Sequence, residues 1–111
     1  MLTVQKASTL WDEAVRLYGM LHEAAFTTEI GDFETAGKTL YEAMELLWKG
    51  KLNLIGDWIT MKQVRKAVET AYVQLDYAGK EAVLASLNEA MRALRRARKI
   101  LATIVQRGDQ S

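Results

Sequence analysis

The chain has 111 residues, half of them apolar, and its 15 lysines and arginines almost balance 14 aspartates and glutamates, for a net charge of +1. It contains no cysteine, which excludes disulfides, cysteine-ligated metals and thiol catalysis, and it contains no proline. This composition favours long helices with short connections, so we predict an all-α fold: an antiparallel four-helix bundle that forms a single domain over residues 1–111.

Neither the start of the chain nor its apolar windows resemble targeting or membrane segments. No window reaches the roughly 18 uninterrupted apolar residues that a membrane span needs, so we expect a soluble, cytoplasmic protein without membrane contact. The charge is unevenly distributed, because residues 1–50 carry four Lys/Arg and eight Asp/Glu while residues 51–111 carry eleven and six. This asymmetry indicates either a nucleic-acid face or two halves that attract each other.

The first predicted helix covers about residues 9–28, with Ser8 or Thr9 as its N-cap. Its core-facing positions recur at helical spacing and are Leu10, Ala14, Leu17, Leu21 and Ala24. A second apolar set, here called the aromatic stripe, lies roughly 100° away and consists of Trp11, Val15, Tyr18, His22 and Phe26. A helix that is apolar on two sides is either central in its bundle or buries its second side against another chain. We therefore predict that the aromatic stripe is a protein interface, in a homo-oligomer for which a dimer is favoured, or with another protein as partner.

The same helix carries a short resemblance to a ribonuclease family. Arg16 and His22 have five residues between them, which resembles the Arg-x(4–6)-His motif of the HEPN helical ribonucleases, and the surrounding ten or so residues are loosely similar to their motif helix. This resemblance implies a ribonuclease site completed by dimerisation. This sequence departs from the family pattern at Leu17, where that family usually has a polar residue.

The second and third predicted helices cover about residues 33–49 and 58–78. Gly31 and Asp32 supply a break and an N-cap, after which the second core set is Phe33, Ala36, Leu40, Ala43 and Leu47. We predict an ordered loop or helical turn over Lys51–Trp58. The third helix begins at Asp57 or Thr60, where Thr60 and Gln63 are spaced as a capping box, and its core set is Met61, Val64, Val68, Ala71, Leu75 and Ala78.

The fourth predicted helix covers about residues 80–107. Its core set is Val83, Leu84, Leu87, Ala90, Met91, Leu94, Ala97, Leu101, Ile104 and Val105. The apolar pattern changes phase at Gly79, which predicts a tight turn there, although one long bent helix remains open. Its outer face carries four cations at i, i+3, i+4 and i+7, here called the basic stripe: Arg92, Arg95, Arg96 and Lys99. This stripe indicates either a nucleic-acid site or a surface neutralised by the acidic first half, which offers Glu34, Glu42 and Glu45. Arg98 falls on the apolar half of the helix, where its charge must snorkel outward or find an acid.

An internal similarity links the two halves of the chain. Leu40–Leu47 is echoed by Leu87–Leu94 at a shift of 47 positions, and at the same shift Trp11 meets Trp58 and Ala24 meets Ala71. Two interpretations remain open: duplication of a helical hairpin, or the ordinary recurrence of Leu, Ala, Glu and Met in amphipathic helices. Both interpretations predict two αα-hairpins that bury each other's apolar faces.

The sequence offers little that supports catalysis. His22 is the only histidine, so one chain cannot build a two-histidine metal site, and there is no glycine-rich phosphate loop or Ser/His/acid set. We therefore expect no catalytic, metal or cofactor residues. The favoured function is a non-enzymatic, self-associating protein-interaction module, with a nucleic-acid-binding protein and a HEPN-like ribonuclease as alternatives.

Overall fold

The computed structural model describes the backbone of residues 4–49 and 58–110 and the side chains of residues 9–49 and 61–103. These residues form four helices and no strand: α1 (Val4–Glu29), α2 (Phe33–Lys49), α3 (Trp58–Gln74) and α4 (Lys80–Gln110). The predicted all-α four-helix fold is therefore confirmed. Among the described residues, no helix is long and apolar enough to cross a membrane. Residues 51–57 of the loop predicted at Lys51–Trp58 lie outside the described residues, and Trp58 is the first residue of α3.

Contacts between helices show that neighbouring helices run antiparallel. Each helix packs on two neighbours, so that α1 lies between α2 and α4, α3 lies between the same two, and α1 and α3 are diagonal. In each pair of neighbouring helices, residue numbers rise along one helix and fall along the other. Helix α4 contacts α1 at Lys80–Glu29 and Arg95–Tyr18, and it contacts α3 at Ser86–Gln74 and Arg96–Gln63. Helix α2 contacts α3 at Gly37–Leu75 and Tyr41–Tyr72. The bundle is 50 Å long and 21 Å across, which matches the length of about 46 Å expected for the 31 residues of α4.

The core is formed almost entirely by the apolar sets that the periodicity predicts. All five core positions predicted for α1 are at most 2 % exposed. The predicted positions of the other helices that are also buried are Ala36, Leu40, Ala43, Leu47, Met61, Val64, Val68, Ala71, Val83, Leu87, Ala90, Met91, Leu94, Ala97 and Leu101. Phe33 is a correction, because it is 39 % exposed at the first position of α2, where no preceding turn covers it. Leu75, Ala78 and Leu84 are also corrections, since they lie in or beside the turn between α3 and α4 and are only partly buried. The predicted Ile104 and Val105 lie outside the described side chains.

The turn between α1 and α2 has the local chemistry that its sequence predicts. Gly31 adopts a φ of 85°, and the amide of Asp32 donates to Thr27 O at 2.8 Å, which closes α1 with a Schellman motif. The side chain of Asp32 then caps α2, since its Oδ1 accepts a hydrogen bond from the amide of Thr35 at 3.1 Å. Hydrogen bonds from Thr35, first from its side chain and then from its amide, favour the charged carboxylate and lower the pKa of Asp32 below its ordinary value of 3.8.

The Asp32 cap predicts a pH dependence of stability. Because the pKa is lower in the folded than in the unfolded chain, the stabilisation is present above about pH 4 and is lost as the pH falls through the folded pKa. Thermal unfolding of the wild type and of Asp32→Asn at pH 7 and pH 3 measures it. We expect the wild type to lose more stability on acidification than Asp32→Asn, which keeps an uncharged cap; equal losses in both proteins would contradict the assignment.

The second turn and the helix ends correct several predicted boundaries. The break at Gly79 is confirmed, since α3 ends at Gln74 and α4 begins at Lys80, but α3 is shorter than the predicted 58–78. Helix α1 begins at Val4, so the predicted caps Ser8 and Thr9 lie inside it. Residues 4–7 contain no glycine or proline that would break a helix, and serine and threonine, as at Ser8 and Thr9, are tolerated inside helices. Helix α4 continues to Gln110, three residues beyond the predicted end.

The two hairpins are structurally equivalent at the shift of 47 positions. Helix α2 begins at Phe33 and α4 at the equivalent Lys80. Buried positions coincide at Leu17 and Val64, Leu21 and Val68, Ala24 and Ala71, Leu40 and Leu87, Ala43 and Ala90, and Leu47 and Leu94. One pair of buried hydroxyls also coincides, since Thr39 corresponds to Ser86, whereas the buried Thr27 and Thr28 correspond to Gln74 and Leu75. The two hairpins therefore contribute largely equivalent positions to one shared core, whatever the origin of the similarity.

Candidate interaction surfaces

The aromatic stripe of α1 is divided by the structure into a covered and an open part. Trp11 and Tyr18 are half-buried and pack against the core. Val15, His22 and Phe26 are exposed, with 44 % of Val15 and 64 % of Phe26 accessible. The open part continues over Gly19, where an added Cβ would meet no atom within 4 Å. We call this open part, Val15, Gly19, His22 and Phe26, the outer row.

The covered part of the aromatic stripe lies under two arginines of α4. The guanidinium of Arg98 lies 5.0 Å from the centre of the Trp11 ring and 5.4 Å from that of Tyr18. Arg95 lies 5.6 Å from the same Tyr18 ring, and its Nε donates to the Tyr18 hydroxyl at 2.9 Å. The sequence predicts one of two outcomes for Arg98, an outward-directed charge or an acidic partner. Its guanidinium instead lies against aromatic faces, and among the described side chains its buried Nε has no hydrogen-bond partner. The aromatic stripe and the basic stripe meet at this α1–α4 contact.

All four residues of the basic stripe are exposed. Besides the Arg95 contact with Tyr18, Nη2 of Arg96 donates to Gln63 Oε1 on α3 at 2.8 Å. Gln63 thus binds an arginine rather than completing the predicted capping box with Thr60, which lies inside α3. Both anchoring groups are neutral, so they hold the two guanidinium groups in place without cancelling their charge.

The acidic residues proposed as partners of the basic stripe are engaged elsewhere or stand apart. Glu34 pairs with Lys38 at 3.5 Å and Glu45 pairs with Lys49 at 3.9 Å, both one turn apart on α2. Helix α2 lies diagonally across the bundle from α4. Neither ion pair of Glu34 or Glu45 involves the basic stripe. The interpretation of two mutually neutralising halves therefore has no support from these contacts.

Two adjoining surface grooves lie along the contact between α3 and α4. One has a volume of about 500 Å³ and is lined by Gln63, Ala85, Glu89, Arg92, Ala93 and Arg96. The other, of about 300 Å³, is lined by Gln63, Lys66, Ala67, Thr70, Ser86 and Glu89. They share two lining residues, so together they form one cationic channel along the bundle with a single acid in it.

The chain was also compared with known proteins. No family model, curated protein or solved structure matches it.

A further exposed aromatic surface lies on α2 and was not predicted from the sequence. Trp48 is 60 % exposed and Tyr41 51 %, and Tyr41 packs against Tyr72 of α3 with ring centres 6.3 Å apart. The signal in the sequence was the seven-residue spacing of Tyr41 and Trp48, which places them on one side of α2. At the shift of 47, Trp48 corresponds to Arg95 and Arg65 to Tyr18. At both of these positions, the first hairpin has an aromatic residue where the second hairpin has an arginine.

The residues of the HEPN-like motif are both exposed on α1 but point in different directions. Arg16 and His22 are six positions apart, which separates them by roughly 120° around the helix and 9 Å along it. The ring of His22 packs against Tyr18, with centres 4.7 Å apart, rather than facing Arg16. Within one chain these two side chains do not form a common site. Among the described residues, no group of three or more acidic or histidine side chains could hold a metal ion.

Proposed function

We propose that this protein is a non-enzymatic helical interaction module that self-associates through the outer row of α1. The observation that supports the proposal is the exposure of Phe26 and Val15 on either side of the open surface over Gly19. Apolar surface removed from water contributes about 25 cal/mol per Å². A glycine between two apolar residues also allows the backbone of a partner helix to approach closely, which increases the area that the contact buries.

The charges beside the outer row fit a second copy of the chain. Arg16 and Glu23 are seven positions apart, so they lie on the same edge of α1, and neither side chain has an ion-pair partner among the described residues. In an antiparallel pairing of two α1 helices centred near Gly19, equal edges meet. Arg16 of one subunit then lies opposite Glu23 of the partner subunit, and the two-fold symmetry makes this contact twice.

Charge reversal tests this arrangement. Arg16→Glu and Glu23→Arg, made singly, each turn two attractive pairs into two repulsive ones and should weaken the association roughly tenfold. The double variant restores opposite charges and should recover the wild-type affinity. Sedimentation equilibrium over a range of protein concentrations measures all four proteins.

The design contains its own control for net charge. Arg16→Glu changes the net charge per chain from +1 to −1, which leaves its magnitude the same, whereas Glu23→Arg raises it to +3. A general charge effect would therefore weaken the association of Glu23→Arg alone, while the paired contact predicts a loss in both single variants. A wild type that stays monomeric at high micromolar concentration, or a double variant no better than the single variants, would rule the arrangement out.

A further inference from the structure

Two arginines of the basic stripe are held in place by contacts within the bundle. Arg95 is held by the Tyr18 hydroxyl and Arg96 by the Gln63 amide, both uncharged groups. Arg92 and Lys99 have no side-chain partner among the described residues. Side chains that are already ordered lose less conformational entropy on binding, and the guanidinium group matches a phosphate with two parallel hydrogen bonds.

The channel between α3 and α4 extends this cationic surface. Arg92 and Arg96 line it together with Gln63, and Lys66 lines its continuation. The small side chains of Ala85 and Ala93 leave room for a ligand to approach the helices. Three cations against one acid, arranged along a channel rather than around a closed pocket, fit an extended anionic chain better than a small molecule.

We propose that the basic stripe and the α3–α4 channel bind the phosphate backbone of a nucleic acid. Three of the four cations in the stripe are arginines, the residue best suited to phosphate. A lipid surface fits less well, because membrane-surface helices insert large apolar side chains, and none of the exposed large apolar residues in the described part of the chain lies on α4. Contacts to phosphate alone make the binding independent of base sequence.

Fluorescence anisotropy with labelled 20-nucleotide single strands and duplexes tests the proposal. Four phosphate contacts on a single strand give a slope of log K against log salt of roughly −3, which weakens binding about 50-fold between 50 and 200 mM NaCl. Arg92→Gln/Arg96→Gln should weaken binding on the order of tenfold or more and halve that slope. The matched control, Lys38→Gln/Lys49→Gln, removes the same charge from the exposed face of α2 and should change the affinity less than about threefold.

Three outcomes would overturn the proposal. They are no binding of either oligonucleotide at 50 mM NaCl, an equal loss of affinity in the two double variants, and tighter binding to phosphatidylserine vesicles than to either oligonucleotide. All four substituted residues are exposed, so circular dichroism and thermal unfolding should show that each variant keeps its fold. The outer row of α1 contributes no residue to this surface, so a failure of nucleic-acid binding and a failure of self-association can be told apart.

Discussion

Phe26→Glu is expected to convert the protein to a monomer at concentrations where the wild type associates. Phe26 is the more exposed of the two large apolar residues in the outer row, at 64 % against 44 % for Val15, and a symmetric contact buries it twice. Full burial of an exposed phenylalanine contributes about 1.5–3 kcal/mol, and since Phe26 is 64 % exposed, the two copies together contribute roughly 2–4 kcal/mol. The substitution removes this contribution and places two carboxylates in the interface, which should raise the dissociation constant by more than about 100-fold.

Light scattering coupled to size-exclusion chromatography measures the effect on mass. Trp48→Glu is the matched control, because Trp48 is exposed to a similar extent, 60 % against 64 %, but lies on α2. It should leave the mass unchanged while Phe26→Glu lowers it to that of one chain. If Trp48→Glu instead produces the monomer and Phe26→Glu does not, the aromatic surface of α2 is the interface and the outer row of α1 is not.

The core could be read from the sequence because burial in a bundle follows a single period. Leu17, Leu21 and Ala24 recur at four- and three-residue intervals, and each of them is fully buried. Predictions failed at the ends of helices, where the period no longer decides burial. Phe33 belongs to the period but sits at the first position of α2 and is exposed, while Ser8 and Thr9 have the chemistry of caps but lie inside α1.

The candidate surfaces could be predicted only in part, because their final form depends on which helices are neighbours. Periodicity placed Trp11, Tyr18 and Phe26 on one stripe, yet α4 lies on only one side of it and covers Trp11 and Tyr18 but not Phe26. The anchoring of Arg95 by Tyr18 joins residues 77 positions apart, so it requires the register of α1 against α4. A sequence pattern carries no information on that register. It does show the charge of the stripe, which depends on one helix alone.

The equivalence of the two hairpins leads to a second large effect, on stability. Leu40 and Leu87 occupy the same position at the shift of 47, and both are 0 % exposed in the shared core. Replacement of a buried leucine by alanine costs about 2–5 kcal/mol, from the lost transfer free energy and the cavity that remains. We expect Leu40→Ala and Leu87→Ala to fall in this range and to differ by less than about 1 kcal/mol, because the sites are equivalent.

Urea unfolding measures the loss in free energy of unfolding for both variants. All proteins are compared at one fixed protein concentration, because association makes the free energy of unfolding depend on concentration. Val73→Ala is the control: Val73 is exposed on α3, so the loss of its methyl groups should cost less than about 0.5 kcal/mol. Costs that differ by more than 2 kcal/mol would mean that the two hairpins pack differently despite their common pattern of burial. Equal costs would instead show that each hairpin completes the core of the other, so that neither side of the bundle is more easily opened.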